Sequence, residues 1–139
     1  MKAYQASDRI HASPEKIWAI LTDIDKWPEW DPSCERIEGT LALGQKVKAF
    51  SKLSPGRAFA VKVSELTPPL KMTWTGGMPL GLFRGERTFM LSELKSGVTE
   101  FSMREVFSGP MLALIGGSIP DMTEAFEGFV AGLKARAEA

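Results

Sequence analysis

The chain has one cysteine, one histidine and no net charge over its 139 residues. A lone Cys34 excludes an internal disulfide and a cysteine-built zinc cluster. Lys plus Arg and Asp plus Glu balance at 17 each, so no net field draws the chain to nucleic acid or to an anionic membrane. The start, MKAYQASDRI, lacks the apolar run of a signal peptide, and the later apolar stretches are too interrupted and charged to span a bilayer. No integral membrane association is expected, and a cytoplasmic setting is the simplest reading. There is no Ser–His–Asp set, phosphate-cradling glycine loop or metal-ligand cluster; Gly81-x-x-x-Gly85 reads as a turn entering a strand. No metal and no cofactor are therefore expected. His11 ends an early strand with no visible partner nearby and is expected on the surface. Asp23, Asp25 and Asp31 match no calcium loop and read as capping or solvent-exposed residues. Repeats, low-complexity segments and long linkers are also missing, which leaves a single domain over residues 1–139. At 44% hydrophobic and 24% charged residues, its composition is that of a soluble globular protein.

The chain does contain a long helical pattern over residues 110–137. Met111, Leu114 and Ile115 form one apolar patch; Ile119, Met122, Phe126, Phe129, Val130 and Leu133 form a longer one at helical spacing. Gly116, Gly117 and Pro120 separate the two. An earlier helix starts at Ser13-Pro14-Glu15, with a capping serine, a proline suited to the first turn and an acidic residue at the positive end of the dipole. Ile17, Trp18, Ile20, Leu21 and Ile24 supply its apolar face. Asp23, Asp25, Lys26 and Pro28 then break the run into a second short helix or turn. Two tryptophans and two prolines crowd Trp27-Pro28-Glu29-Trp30-Asp31-Pro32, a composition that suits either a stiff wall over an apolar space or a plug at one end of the core.

The remainder reads as strands. Residues 3–11 form a first, weakly alternating strand, and 34–37 a short edge. Residues 45–53, 58–66, 70–75, 82–94 and 98–108 follow, divided by turns at 54–57, 67–69, 76–79 and 95–97. Phe59, Val61 and Val63 share one face; so do Leu70, Met72 and Trp74. One-sided alternation over successive hairpins predicts an antiparallel sheet with one face covered and one wet.

The last hairpin carries the sharpest local signal. Phe83, Phe89 and Leu91 on one strand and Phe101, Met103 and Phe107 on the other are apolar and face inward, yet Arg87 and Glu105 share their parity. If Lys95 to Gly97 is the loop, Arg87 falls opposite Glu105, Phe89 opposite Met103, and Leu91 opposite Phe101. Burying two charges costs several kcal/mol per ion, which pairing only partly offsets. A packed core has little reason to keep such a pair; a watery or ligand-filled cavity does. A bulge that turns both charges outward, or a place at the rim, is the alternative.

Pro14-Glu15-x-Ile17-Trp18, Asp23 and Trp27-Pro28-Glu29-Trp30-Asp31-Pro32 resemble the start of the START-like (SRPBCC) superfamily of polyketide cyclase/dehydrase and lipid-transport proteins. Gly81-Leu82-Phe83-Arg84-Gly85 and Glu105-Val106-Phe107-Ser108-Gly109-Pro110 are similar to the segments before that superfamily's closing helix. The resemblance implies an α+β helix-grip fold. A curved seven-stranded antiparallel sheet would wrap a long C-terminal helix, with two short helices after the first strand. It also implies binding or transport of a hydrophobic small molecule or lipid between sheet and helix.

The candidate ligand-binding residues are Trp18, Trp27, Trp30, Phe59, Val61, Met72, Trp74, Phe83, Arg87, Phe89, Met103, Glu105, Met122, Phe126, Phe129 and Val130. Apolar walls with a few polar anchors are what such sites need, although each residue taken singly is better met by plain core packing. A polyketide cyclase/dehydratase-like enzyme is the alternative, with Arg87 on a carbonyl and Glu105 as general acid or base. Against it, no second inward carboxylate–histidine constellation is evident; Glu65 shares the parity of Phe59, Val61 and Val63 but lies at a strand end and is expected to be exposed. A protein-interaction module is the third reading. It rests on Met78, Pro79, Leu80 and Leu82, a glycine-flanked apolar loop that would serve equally as a lid.

Overall fold

A computed structural model describes the backbone of residues 1–139 and every side chain except that of Ser118. Strand β1 (Lys2–Ile10) leads into helix α1 (Pro14–Thr22) and a 3-10 turn (Ile24–Glu29). Strands β2 (Cys34–Gly39), β3 (Lys46–Ser51), β4 (Ala58–Thr67), β5 (Lys71–Gly77), β6 (Arg84–Lys95) and β7 (Val98–Ser108) follow. A short helix α2 (Leu112–Ile115) precedes the closing helix α3 (Thr123–Glu138). All seven strands pair antiparallel in one sheet, in the order β1-β7-β6-β5-β4-β3-β2. The sheet curls as a half-barrel around α3, which is the helix-grip arrangement.

Local chemistry accounts for the helix starts and corners. Ser13 caps α1 by accepting the Lys16 amide at 3.2 Å, and Pro14 occupies the first turn. The indole Nε1 of Trp27 donates to the Leu21 carbonyl at 2.9 Å, which pins the 3-10 turn to the end of α1. Thr99, fully buried on β7, donates to the Ala12 carbonyl at 2.8 Å and so ties the sheet to the β1–α1 corner. Two glycines seat the closing helix. A Cβ at Gly132 would collide with the Trp30 carbonyl oxygen, and one at Gly128 would lie 3.0 Å from the Pro32 ring. The 30–32 segment therefore lies directly on one face of α3, an approach that only a residue without a side chain permits.

The interior has two unlike halves. Ile10, Ile17, Leu21, Phe89, Phe101 and Leu133 are closely packed under α1 and the C-terminal part of α3. Toward β2–β4 and the N-terminal end of α3 the space opens. Trp27, Trp74 and Phe129 stand between the halves; Trp27 stacks on Trp74 at 5.2 Å and meets Phe129 edge-on at 5.1 Å.

Several expectations change in detail. The closing helix begins at Thr123, so Ile119 and Met122 precede it, because the Gly116-Gly117 and Pro120 breaks interrupt the pattern for longer than spacing alone indicates. The β6–β7 register is the expected one from Arg84↔Ser108 to Glu93↔Thr99. The turn is tighter than expected: Lys95 pairs with Val98, and an irregularity beside Leu94 absorbs the difference. Leu70, expected inward with Met72 and Trp74, lies before β5 and is 48% exposed. His11 does have a partner. Its Nδ1 lies 3.2 Å from Glu138 Oε2, a contact that only the closing helix brings near.

Candidate functional site

A cavity of about 570 Å³ lies between the sheet and the N-terminal end of α3. Its inner wall is aromatic and aliphatic, from Trp27, Val61, Trp74, Phe83, Met103, Phe107, Phe126 and Phe129. Phe83 stacks on Phe107 at 5.8 Å, and Gly85 leaves room for that ring, since a Cβ there would sit 3.2 Å from it. Ile115, Ile119, Pro120 and Met122 close the side nearest α2 and α3. Leu53, Arg57 and Phe59, all exposed, mark the mouth, with the Arg57 guanidinium 5.4 Å from the Phe59 ring centre.

Charge enters this apolar wall at two places. Arg87 on β6 and Glu105 on β7 are direct cross-strand neighbours, joined by a 2.8 Å bond from Nη2 to Oε2. Their side chains remain 25% and 14% exposed, so the pair opens onto the cavity rather than being sealed in packing. The Arg87 guanidinium also lies 4.9 Å from the centre of the Phe126 ring, a cation–π contact with α3. Its Nε is buried without a hydrogen-bond partner, as is Nε1 of Trp74, its cross-strand neighbour on β5.

The second place is Asp31, which sequence reasoning assigned to capping or solvent. Its residue is only 5% exposed and lines the cavity. Oδ1 accepts from the Ser33 amide at 3.2 Å and the Ser33 hydroxyl at 3.1 Å. Burial raises its pKa; the Ser33 bonds and the charges of Arg87 and Lys52 oppose that rise without cancelling it. Asp31 is thus a second carboxyl group in the lining beside Glu105, with no histidine among the lining residues. Asp31 also acts on its neighbour: the Cys34 thiol is pushed up to about 11, first by burial and then by the Asp31 carboxylate.

Of the residues singled out from sequence, Trp27, Phe59, Val61, Trp74, Phe83, Arg87, Met103, Glu105, Met122, Phe126 and Phe129 line the cavity. Trp30, Met72, Phe89 and Val130 lie off it in close-packed core, and Trp18 packs half-buried against that core. Period-two alternation shows which face a residue takes but not how far along the sheet packing gives way to space. The cavity residues missing from the sequence candidates include Asp31, Ser33, Cys34, Ile37, Ala49, Phe50, Arg57, Phe107, Ile115 and Ile119. The Trp-Pro-Glu-Trp-Asp-Pro run marked their neighbourhood without showing which side chain turned inward. Met78, Leu80 and Leu82 are exposed, Leu80 almost fully at 97% and with a positive φ of 60°. Among the described residues no group of three or more His, Cys, Asp or Glu is placed to hold a metal ion, and no helix is long and apolar enough to cross a membrane.

The family model described as polyketide cyclase / dehydrase and lipid transport matches residues 1–138. The chain belongs to this family. No curated protein matches the START-like chain by sequence. Among solved structures it is similar to a START superfamily protein from Mycobacterium smegmatis, with 19% identity, a TM-score of 0.70, and 98% of this chain and 97% of that one covered. It is similar to the Aha1 dimer from Colwellia psychrerythraea, with 24% identity, a TM-score of 0.73, and 99% and 97% covered. The Zhui aromatase/cyclase from Streptomyces sp. R1128 gives 13% identity, a TM-score of 0.73, and 99% and 93% covered. At these identities the likeness establishes the fold, and this START-like domain fits the ligand-binding or cyclase/dehydrase frame of its superfamily.

Proposed function

We propose that this START-like protein binds a hydrophobic small molecule or lipid in the cavity between its sheet and α3. The observation that carries the reading is the cavity itself. A space of about 570 Å³ walled by Trp27, Trp74, Phe83 and Phe126 falls within the roughly 300–1,000 Å³ typical of small-molecule sites. Close packing is the rule in protein interiors, so leaving this much apolar wall unfilled costs stability unless an occupant covers it. Native mass spectrometry of the purified protein, followed by organic extraction, tests the proposal. A reproducible adduct that disappears when Ala49→Phe fills the cavity supports it. A clean mass, with no thermal shift against lipids or aromatic polyketides, turns the reading toward a protein partner at the exposed 78–82 loop.

One observation favours a second, enzymatic reading of polyketide cyclase/dehydratase type. Asp31 and Glu105 give the cavity two carboxyl groups, one of them held toward its protonated form by burial. Elimination of water from a β-hydroxyketone needs a base for the α proton and an acid for the departing hydroxyl. Glu105 and Asp31 supply those roles, with Arg87 on the carbonyl oxygen. Loss of one water from such a probe, followed by mass, selects this reading. Saturable binding of an unchanged probe selects the carrier.

A further inference from the structure

The cavity's polar end is short of partners in a specific way. Asp31 spends Oδ1 on both Ser33 hydrogen bonds, while Oδ2 has no partner among the described residues and is not sealed from open space. Arg87 gives Nη2 to Glu105, and neither its Nε nor its Nη1 has a hydrogen-bond partner among the described residues. An acceptor, Asp31 Oδ2, and a donor, Arg87 Nη1, are therefore left over in the lining, the Arg87 Nε being sealed. The charge count matters as much. Glu105 already neutralises Arg87 at 2.8 Å, and Asp31 adds a further carboxyl group. The remaining charged residue of the lining, Arg57, is out at the exposed mouth beside Phe59.

We infer that the cavity selects an uncharged ligand whose apolar body carries both a hydroxyl group and a carbonyl-type oxygen, and that Asp31 is the residue that sets this choice. The inference rests on the cavity-binding reading above and names the ligand class for it. The hydroxyl pairs with Asp31 Oδ2, and the carbonyl oxygen accepts from the free face of the Arg87 guanidinium. A ligand carboxylate of the same size meets an arginine already paired and two carboxyl groups of its own sign. In a low-dielectric site that arrangement disfavours it strongly. Fatty acids and other carboxylates are thereby excluded in favour of hydroxylated ketones, esters or similar neutral molecules.

Four naphthalenes test the inference by quenching of tryptophan fluorescence at neutral pH: hydroxyacetylnaphthalene, acetylnaphthalene, naphthoate and naphthalene. The wild-type protein is expected to bind hydroxyacetylnaphthalene about tenfold or more tighter than naphthoate, with acetylnaphthalene between them. Asp31→Asn keeps an acceptor for Ser33 but removes the carboxyl group, and is expected to shrink that gap to about threefold or less by admitting naphthoate. A purely structural Asp31 would leave the ratio unchanged, and an unchanged ratio overturns its role. Naphthoate binding as tightly as hydroxyacetylnaphthalene in the wild type overturns the ligand class. If naphthalene and acetylnaphthalene still bind in that case, the cavity reading survives it. Failure of all four to bind overturns both. The wild-type ranking needs no variant, so the ligand class is tested however the substitution folds.

Discussion

Asp31 stands where burial and function pull in opposite directions. Burial raises its pKa, so the folded protein holds the Asp31 proton more tightly than the unfolded chain does. The carboxyl group therefore costs nothing below the ordinary value of 3.8 and weakens the fold increasingly as pH rises through the raised folded value. Asp31→Asn retains an oxygen for Ser33 and removes that cost. Thermal melts should show the variant more stable than wild type at neutral pH, with the difference vanishing as pH falls toward 3.8. A gain that persists unchanged in acid would mean the carboxylate is not the source. Cys34, next along the wall, answers to the same environment. With its thiol pushed up to about 11, only about one molecule in a thousand is thiolate near pH 8. Iodoacetamide should leave the native protein unmodified and label it only on unfolding, as read by intact mass. Arg87→Met tests the facing pair: it strands Glu105 beside the cavity at a cost of about 1–3 kcal/mol. The domain should still fold, and affinity for a polar-headed ligand should fall. Unchanged affinity in the folded variant removes Arg87 from the site.

Among the elements, α3 decides the shape of the interior through what it lacks. Gly128 and Gly132, one turn apart, let the Pro32 ring and the Trp30 carbonyl lie against the helix. Helix propensity alone favours alanine over glycine by about 1 kcal/mol. At Gly132 that gain is outweighed, because the added methyl group meets a backbone oxygen rather than a flexible side chain. Gly132→Ala should cost about 1–3 kcal/mol net, seen as a lower midpoint in urea, while an alanine at an exposed helical site such as Glu127 should not. The hairpin of β6 and β7 contributes the other decisive placement. Its unbroken pairing from Arg84 to Glu93 carries Phe89, Leu91, Phe101 and Met103 to the inner face of the sheet and sets Arg87 opposite Glu105 on that same face. A one-residue slip there would send the whole set to solvent, which is why so long an apolar alternation pins its own register.

For the whole molecule, one half of the interior is close-packed and the other half is open, and this division makes the domain responsive to an occupant. A ligand that binds only the folded state adds about 2.7 kcal/mol at a hundredfold excess over its dissociation constant. For a chain of this size that is a rise of roughly 5–15 °C in melting temperature. Wild type should show such a shift with a cavity-sized hydrophobic ligand. Ala49→Phe, which places a ring from β3 in the cavity between sheet and α3, should abolish it and raise the unliganded midpoint slightly. An equal shift in both proteins would place the ligand elsewhere.

Much of this was legible in the residues themselves. Alternation and turn chemistry specified the antiparallel strands, Ser13-Pro14 the start of α1, and Gly116, Gly117 and Pro120 the break before α3. The parity of Arg87 and Glu105 announced an inward ion pair. These features depend on neighbours in sequence or across a single hairpin, where period and turn geometry suffice. The tertiary structure alone decided the rest: that Asp31 turns inward, that Glu138 reaches His11, that Phe89 and Met72 fill core while Phe83 and Met103 line space. Each of those outcomes depends on where α3 comes to rest across the sheet. That position is set by side-chain volumes and the close approaches at Gly128 and Gly132, which join segments about a hundred residues apart and leave no periodic trace.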